Sequence, residues 1–414
     1  MRDLDPVREQ EFFDIFREYF DLEKDAAAQH DSGNYTLDRM APLAALAGNP
    51  ERRLAIIHVA GTKGKGSTCY YIAALLKAAG KRCGIFTSPH VDTVRERFQL
   101  DGELMDYETL CEAAKEYCAA LKGAALKPSL FEIFTVLAMK LFADAGVDYA
   151  VMETGIGGRV DATNYVPAKA LELVTPVSFD HMALLGDTIE AIAGEKAGII
   201  TCAQAPLVLS RQPYPAAEAI LRQRAEAVGC RRIIAPDESI DTDQWLAAGT
   251  PEFLRDNFRS ALTAVHALGL SPSPADFHAP KLRARFELLR QEPPVVIDAA
   301  HNGDSAQKLA RAVMKRFPGR HFTCVLGCLD GKDIRGIVNG LGQMDASYIL
   351  VNPKSCRASA RDALLAECRA AGLHVTAVLD SLDSRSQLPQ NEPLLFTGSF
   401  FTALIGDMLF ASRP

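Results

Sequence analysis

The chain is poor in several things that would point to a particular class. No apolar stretch stands clear of charge for long enough to cross a bilayer, and a mean hydropathy of +0.01 belongs to a water-facing globular chain rather than a membrane protein. There is no basic excess: 45 Lys and Arg against 52 Asp and Glu leave a formal charge of -7. That excludes broad nucleic-acid or anionic-membrane binding, which needs a basic surface, and leaves only local basic pockets open. Cysteine pairs at metal-binding spacing are missing. The ten cysteines run from Cys69 to Cys368, and the closest pairs, Cys111 with Cys118 and Cys324 with Cys328, fall in a helical and a buried-strand pattern. They read as reduced thiols. Internal repeats and low-complexity tracts are absent. Met1 to Phe20 mixes charges with apolar residues and lacks the apolar core of a secretory signal, so the chain reads as cytoplasmic.

What is there is an ordinary globular composition, 48% hydrophobic and 23% charged over 414 residues, enough at about 150 residues per domain for two or three domains with ample cores. Strand-like apolar runs alternate with helical patterns in both halves, so the fold class is α/β, with parallel sheets covered by helices. The clearest early strands are Leu54 to Val59, Cys83 to Thr87, Asp148 to Glu153 and Leu171 to Ser178. Helices are expected over Ser67 to Ala79, Tyr107 to Leu121, Ser129 to Ala143 and Thr188 to Ala197. Leu270 to Pro280, LSPSPADFHAP, has the composition of a linker. It divides an N-terminal P-loop-type domain, residues 1–279, with helices on both faces of its sheet, from a smaller Rossmann-like α/β domain, residues 280–414. In the second domain strands are expected at Val295 to Asp298, Thr323 to Leu326, Ser347 to Val351 and Leu394 to Thr397.

The most informative segment is Ile56-Ile57-His58-Val59-Ala60-Gly61-Thr62-Lys63-Gly64-Lys65-Gly66-Ser67-Thr68, an apolar strand, a Gly-rich turn and a helix start. Glycines let backbone N–H groups crowd round phosphate oxygens, the helix N-terminus adds partial positive charge, and Lys65 neutralises the outer phosphates. Ser67 is placed to hold Mg²⁺. The strict Walker spacing fails, since it needs glycine at Val59 and Ser or Thr at Gly66; the match is to a variant, GTxGKGS. The bland alternative is a Gly-rich turn with a solvated lysine pair.

Three further residues have both a chemical and a bland reading. Glu153 ends an apolar strand ahead of a glycine-rich turn, at the carboxyl end of a parallel sheet where ligands of open α/β folds bind. It is a Mg²⁺ ligand candidate or a solvated strand cap. His181, in Asp180-His181, follows a β-rich run, and its bland reading is a satisfied loop histidine. Lys196 lies on the Thr188 to Ala197 helix, and its bland reading is a surface lysine paired with Glu195.

With these motifs in view the sequence resembles the Mur ligase superfamily, and within it the folylpolyglutamate and dihydrofolate synthases. Where the family's loop usually reads GTNGKGS, Lys63 stands for the asparagine. The resemblance continues in order through Thr87-Ser88-Pro89-His90, the run from Glu153-Thr154-Gly155 to Asp161-Ala162-Thr163-Asn164, and Asp180-His181. It then passes through Gly186-Asp187-Thr188, Glu195-Lys196-Ala197-Gly198, Asp298-Ala299-Ala300-His301-Asn302 and Phe396-Thr397-Gly398-Ser399, covering nearly the whole chain.

That resemblance implies ATP between the two domains. The loop Gly61 to Thr68 and Asn257 contact the nucleotide, Arg285 its phosphates, and Asp298 its ribose. It implies two Mg²⁺ sites held through Ser67, Glu153, His181 and Lys196, with Lys196 carbamylated by CO₂; that chemistry needs a neutral amine, which burial near other cations favours. Ser88, Pro89, His90, Asp161 and Ala162 would border the pteridine pocket, and His301 and Ser399 the incoming glutamate. Arg357 and Ala358 match a further family pair. The implied catalytic set is Lys65, Glu153, His181 and Lys196. The implied reaction is ATP-dependent addition of L-glutamate to a folate, a dihydropteroate or both, through an acyl phosphate, in a monomer. Three rivals stay open: a Mur-type ligase acting on a cell-wall nucleotide precursor; a P-loop nucleotide switch, although no Asn-Lys-x-Asp guanine-reading tetrad occurs; and a non-catalytic folate binder, which would not need the metal constellation.

Overall fold

The structure, a computed structural model, describes residues 5–19, 36–124, 126–353, 359 and 361–410. The pair Arg357 and Ala358 therefore lies outside the described residues. The chain divides into two compact units. The larger spans Arg2–Ala248 and Leu254–Pro280, and the smaller takes Gly249–Phe253 and Lys281–Pro414. The Pro-rich stretch at 270–280 belongs to the larger unit. Its Phe277 packs edge-on against Phe258 and Trp245, with ring centroids 5.4 and 5.5 Å apart, and Phe258 in turn meets Tyr71.

The larger unit holds eight strands: β1 Ile56–Ala60, β2 Cys83–Phe86, β3 Gln99–Leu100, β4 Glu103–Leu104, β5 Tyr149–Glu153, β6 Leu171–Val174, β7 Leu207–Leu209 and β8 Ile233–Ile234. They lie in the order β4-β3-β2-β5-β1-β6-β7-β8. The six from β2 to β8 run parallel, and β3 and β4 add an antiparallel edge. β1, β2 and β6 are buried along their whole length, as a parallel strand must be when helices cover both faces. On one face Phe12, Phe98 and Phe134 anchor a core built by the helices Pro6–Asp14, Met40–Leu46, Tyr107–Lys122 and Leu130–Asp144. Farther along the same face, Ile192, Ile199, Leu207 and Leu221 pack the helices Ile189–Ala197 and Pro215–Val228, for Ile56 of the first core and Ala60 of the second stand four residues apart on β1 and so point the same way. β1 has β5 on one side and β6 on the other, so the chain order reverses beside it. The crevice outside its carboxyl end is where an open α/β sheet takes a ligand.

The smaller unit holds β9 Glu287–Arg290, β10 Val295–Ile297, β11 Phe322–Leu326, β12 Ala346–Val351, β13 His374–Leu379 and β14 Leu394–Thr397. Their order is β13-β12-β11-β14-β10-β9, with only β9 antiparallel. Val296, Leu309, Cys324, Leu341 and Tyr348 lie in its core.

Where sequence and structure differ, the causes are local. The run expected as a strand from Leu171 to Ser178 pairs only as far as Val174, because Pro176 has no N–H for a ladder; its carbonyl instead accepts the N–H groups of Thr62 and Lys63 at 3.0 and 3.2 Å. The short β3, β4, β7 and β8 carry too few residues to show a period.

Gly84 in β2 tests the packing of this sheet. A Cβ there would lie 2.4 Å from Phe142 Cγ, so Gly84→Ala should cost about 1–3 kcal/mol by overpacking. Denaturant unfolding should show that loss, with part of it recovered in the double variant carrying Phe142→Leu.

Candidate active site

The phosphate-loop segment folds as its glycines require. Gly61 has φ +138, and a Cβ on it would fall 2.0 Å from Thr175 Oγ1; Gly64 has φ +85, and its Cβ would fall 2.3 Å from Asn257 Oδ1. Both positions therefore demand glycine for conformation and for space. The second contact also brings Asn257 against the loop. Thr62 and Ser178 fasten the loop to the chain after β6: Thr62 Oγ1 donates to the Ser178 carbonyl at 3.0 Å and accepts the Ser178 N–H at 3.1 Å. The helix Lys65–Ala78 starts directly on Gly64, so its positive end opens at the carboxyl edge of β1. Ser67 and Thr68 lie buried in its first turn.

Charge gathers around that helix start. Lys65 Nζ lies 3.9 Å from Glu153 Oε1, and Glu153 Oε2 accepts the Ser88 N–H at 3.1 Å. A Cβ on Gly66 would sit 3.4 Å from that same oxygen. Lys63 Nζ pairs with Asp180 Oδ2 at 3.2 Å. Lys196, only 5% exposed, has its pKa pushed down to about 7, first by burial and then by Lys65, with Lys63 acting the same way and Asp180 and Asp161 opposing. The bland pairing of Lys196 with Glu195 does not form, because the Glu195 carboxylate takes the Arg159 guanidinium at 2.9 Å. His181 is the most open member, its side chain 38% exposed and its Nε2 3.9 Å from Asp180 Oδ1. Asp180 is the member that pattern reading passed over; its signal was the lysine standing in the loop's asparagine position.

Among the described residues no three His, Cys, Asp or Glu side chains form a metal cluster. The oxygen donors present still fit Mg²⁺, which keeps most of its waters and uses one or two carboxylates with substrate phosphates. Glu153 is 4% exposed and faces the loop helix, and with the Ser67 hydroxyl it is a donor set of that kind.

The other expected site residues are more mixed. Ser88 is joined to Glu153 through its N–H, whereas His90 Nδ1 accepts from Arg97 Nε at 2.8 Å, with Pro89 between them. Asp161 turns inward. Its carboxylate accepts the N–H groups of Ile156 and Thr163 and the Thr163 hydroxyl, capping the turn that begins at Ala162, itself buried in the core. In the smaller unit, Asp298 accepts the Phe286 and Ala300 N–H groups at 2.7 and 2.8 Å. It thereby fixes the segment that carries Arg285, whose guanidinium lies 4.5 Å from the Phe400 ring centroid. His301 Nδ1 donates to the Ala299 carbonyl at 2.8 Å, and the helix cap beside it is Asn302. Ser399 is buried, its hydroxyl accepting the Thr402 N–H at the start of the helix Phe400–Phe410.

The family model for the Mur ligase middle domain matches residues 59–235, and that for the Mur ligase glutamate ligase domain matches residues 284–400. The chain belongs to the folylpolyglutamate and dihydrofolate synthases of the Mur ligase superfamily. It is 34% identical to the dihydrofolate synthase/folylpolyglutamate synthase of Mycobacterium tuberculosis over 80% of this chain and 76% of that one. To the Escherichia coli protein of the same name it is 31% identical over 88% and 89%. Among solved structures, Mycobacterium tuberculosis folylpolyglutamate synthase complexed with ADP and AMPPCP superposes with TM-score 0.80 at 30% identity, covering 92% of this chain and 96% of that one. Escherichia coli FolC in complex with DHPP and ADP gives 0.77 at 27%, covering 89% and 91%.

Lys65→Ala gives the first test of this synthase site. Lys65 stands beside Glu153 at the loop and is not part of the packed core, so its loss should weaken ADP binding by tenfold or more in a calorimetric titration while leaving thermal unfolding within a few degrees of the parent. Unchanged ADP affinity would remove the phosphate loop from the account.

Proposed function

We propose that the chain is an ATP-dependent ligase that adds L-glutamate to a folate, to dihydropteroate, or to both. The observation that carries this reading is the cluster of Lys63, Lys65 and Lys196 with Glu153 and Asp180 at the carboxyl end of β1, in a chain whose relatives bear the names of such synthases. The substrate carboxylate attacks the γ-phosphorus of ATP to give an acyl phosphate and ADP. The glutamate amine then adds to the acyl carbon and expels phosphate. Protein groups in such a reaction chiefly position the reactants and neutralise charge. The loop N–H groups and Lys65 hold the nucleotide phosphates, Asn257 borders the same loop, and Arg285 and Asp298 are further proposed nucleotide contacts. Ser88, Pro89 and His90 line the folate or pteroate side, with Asp161 and Ala162 supporting it, and His301 and Ser399 stand on the glutamate side.

Glu153, Ser67, His181 and Lys196 are the residues that would hold two Mg²⁺ ions. When bound, Mg²⁺ neutralises the charge that builds on the transferring phosphoryl oxygens. Lys196 is proposed to carry a carbamate: a buried amine titrating near 7 is substantially neutral at physiological pH and so nucleophilic toward CO₂, and the product supplies anionic oxygen where the parent side chain was cationic. The free thiols of the nine described cysteines suit a cytoplasmic site of action, and no described helix is long and apolar enough to cross a membrane.

The direct test of the ligase reading is ADP release that depends on L-glutamate, measured with dihydropteroate, dihydrofolate, tetrahydrofolate and a muramyl nucleotide. Turnover with a pteroate or folate is expected, and turnover with the muramyl nucleotide alone would reverse the substrate assignment. Lys196→Ala should lose at least a hundredfold in kcat, with partial recovery in acetate. At fixed dissolved CO₂, reactivation of CO₂-stripped protein should be faster at pH 8 than at pH 6. With a pKa of about 7 the neutral fraction rises from roughly one tenth to roughly nine tenths over that interval. A rate independent of pH across it would count against the carbamate.

A further inference from the structure

Beneath the site lies a lysine that the ligase chemistry does not use. The side chains of Lys169 and Glu172 are wholly buried and paired at 3.3 Å. Burying an ion pair is costly unless further hydrogen bonds satisfy it, and Lys169 has them. Its Nζ donates to the Ile199 carbonyl at 2.5 Å, to Asn164 Oδ1 at 2.8 Å and to Thr201 Oγ1 at 3.0 Å. The Ile199 carbonyl lies just past the end of the helix Ile189–Ala197, where a cation complements the helix dipole. Asn164, held by Lys169, donates to the carbonyls of Gly198 and Arg159 at 3.0 and 3.1 Å.

The same helix end is clamped from above by backbone contact. A Cβ on Gly158 would lie 2.8 Å from the Glu195 carbonyl oxygen and 3.2 Å from Lys196 Cα, and one on Gly198 would lie 2.4 Å from Arg159 Cα. Arg159 N–H also donates to the Glu195 carbonyl at 2.8 Å. The turn bearing Lys196 is thus seated in the Gly155 to Asn164 loop with no room for a side chain between them. Lys169 and Asn164 close that seat from below.

We propose that Lys169 is a positioning residue for Lys196: through Asn164 and the carbonyls after the helix Ile189–Ala197, it fixes where the Lys196 side chain stands in the active site. The inference rests on the reading of Lys196 as part of the ligase centre. A misplacement of about 1 Å in a catalytic group can lower a rate a hundredfold, so the effect belongs in kcat and not in substrate binding.

The test pairs Lys169→Met with Glu172→Gln, so that neither charge is left alone in the interior, and uses Thr201→Val as a second variant that deletes one of the lysine's contacts. Kinetics are run on the full chain at a temperature where circular dichroism shows each variant folded. In the paired variant kcat should fall tenfold or more, with KM for ATP and for the folate within about twofold of the parent; Thr201→Val should lower kcat a fewfold with the same KM pattern. If the paired variant does not fold, Thr201→Val decides. Parental kcat in the folded variants, with only thermal stability reduced, overturns the inference, as does a loss that appears in KM alone. Lys196→Ala is measured alongside. If it is inactive while the Lys169 variants are fully active, this inference alone fails; if it keeps the parental kcat, the reading of Lys196 fails and this inference with it.

Discussion

Everything in the larger unit answers to one electrostatic problem, the gathering of three lysines at the carboxyl ends of adjacent parallel strands. Unit charges about 4 Å apart interact by roughly 4 kcal/mol at an effective dielectric near 20, so like charges crowded there are tolerated only with acids set among them. Glu153 from β5 stands by Lys65, and Asp180 from the chain after β6 stands by Lys63. Among the described residues no acid forms an ion pair with Lys196, and Asp180 and Asp161 only partly offset its cationic neighbours. Burial and its cationic neighbours resolve the conflict by lowering its pKa to about 7, so that a substantial share of its amine is neutral at physiological pH.

The fold supplies this arrangement by bringing segments together with glycine where they meet. Gly61 against Thr175, Gly64 against Asn257, Gly158 against Glu195 and Gly198 against Arg159 are contacts at which a Cβ would collide. They join the phosphate loop to the chain after β6 and to the helix Glu252–Ala267 that carries Asn257, and the Gly155 to Asn164 loop to the helix carrying Lys196. Pro176 belongs to the same design. It ends the ladder of β6, and its carbonyl is thereby available to the loop N–H groups of Thr62 and Lys63. The site is assembled from strand ends and turns, while both faces of the sheet are given to packing.

The long, regular parts of this architecture were legible in the sequence. Continuous apolar runs such as Val295–Ile297 mark parallel strands, and the glycine-lysine turn between a strand and a helix marks the phosphate site. Lys65 and Glu153 stood out as candidates because each sits beside a glycine-bearing motif, whereas Lys196 became a candidate only through the resemblance to the Mur ligases. Other features depended on contacts between distant segments. Glu195 pairs with Arg159, 36 positions away, and not with Lys196; Asp161 spends its carboxylate on its own turn; Asp180 pairs with a lysine 117 positions earlier. Phe277, in a stretch with a linker's composition, is an anchor because Trp245 and Phe258 wait for it. The buried Lys169 was invisible for the same reason: in sequence it is a polar residue in a loop, and only folding surrounds it with carbonyls.

The central claim is that this charge cluster activates a carboxylate as an acyl phosphate, and isotope transfer tests it most directly. A folate or pteroate whose reacting carboxylate carries a heavy isotope at both oxygens is turned over with ATP and L-glutamate, and the released phosphate is analysed by mass spectrometry. The account predicts one heavy oxygen atom in the phosphate for each amide bond formed, since the bridging oxygen of the acyl phosphate leaves with phosphorus. Amide formation accompanied by unlabelled phosphate would contradict it.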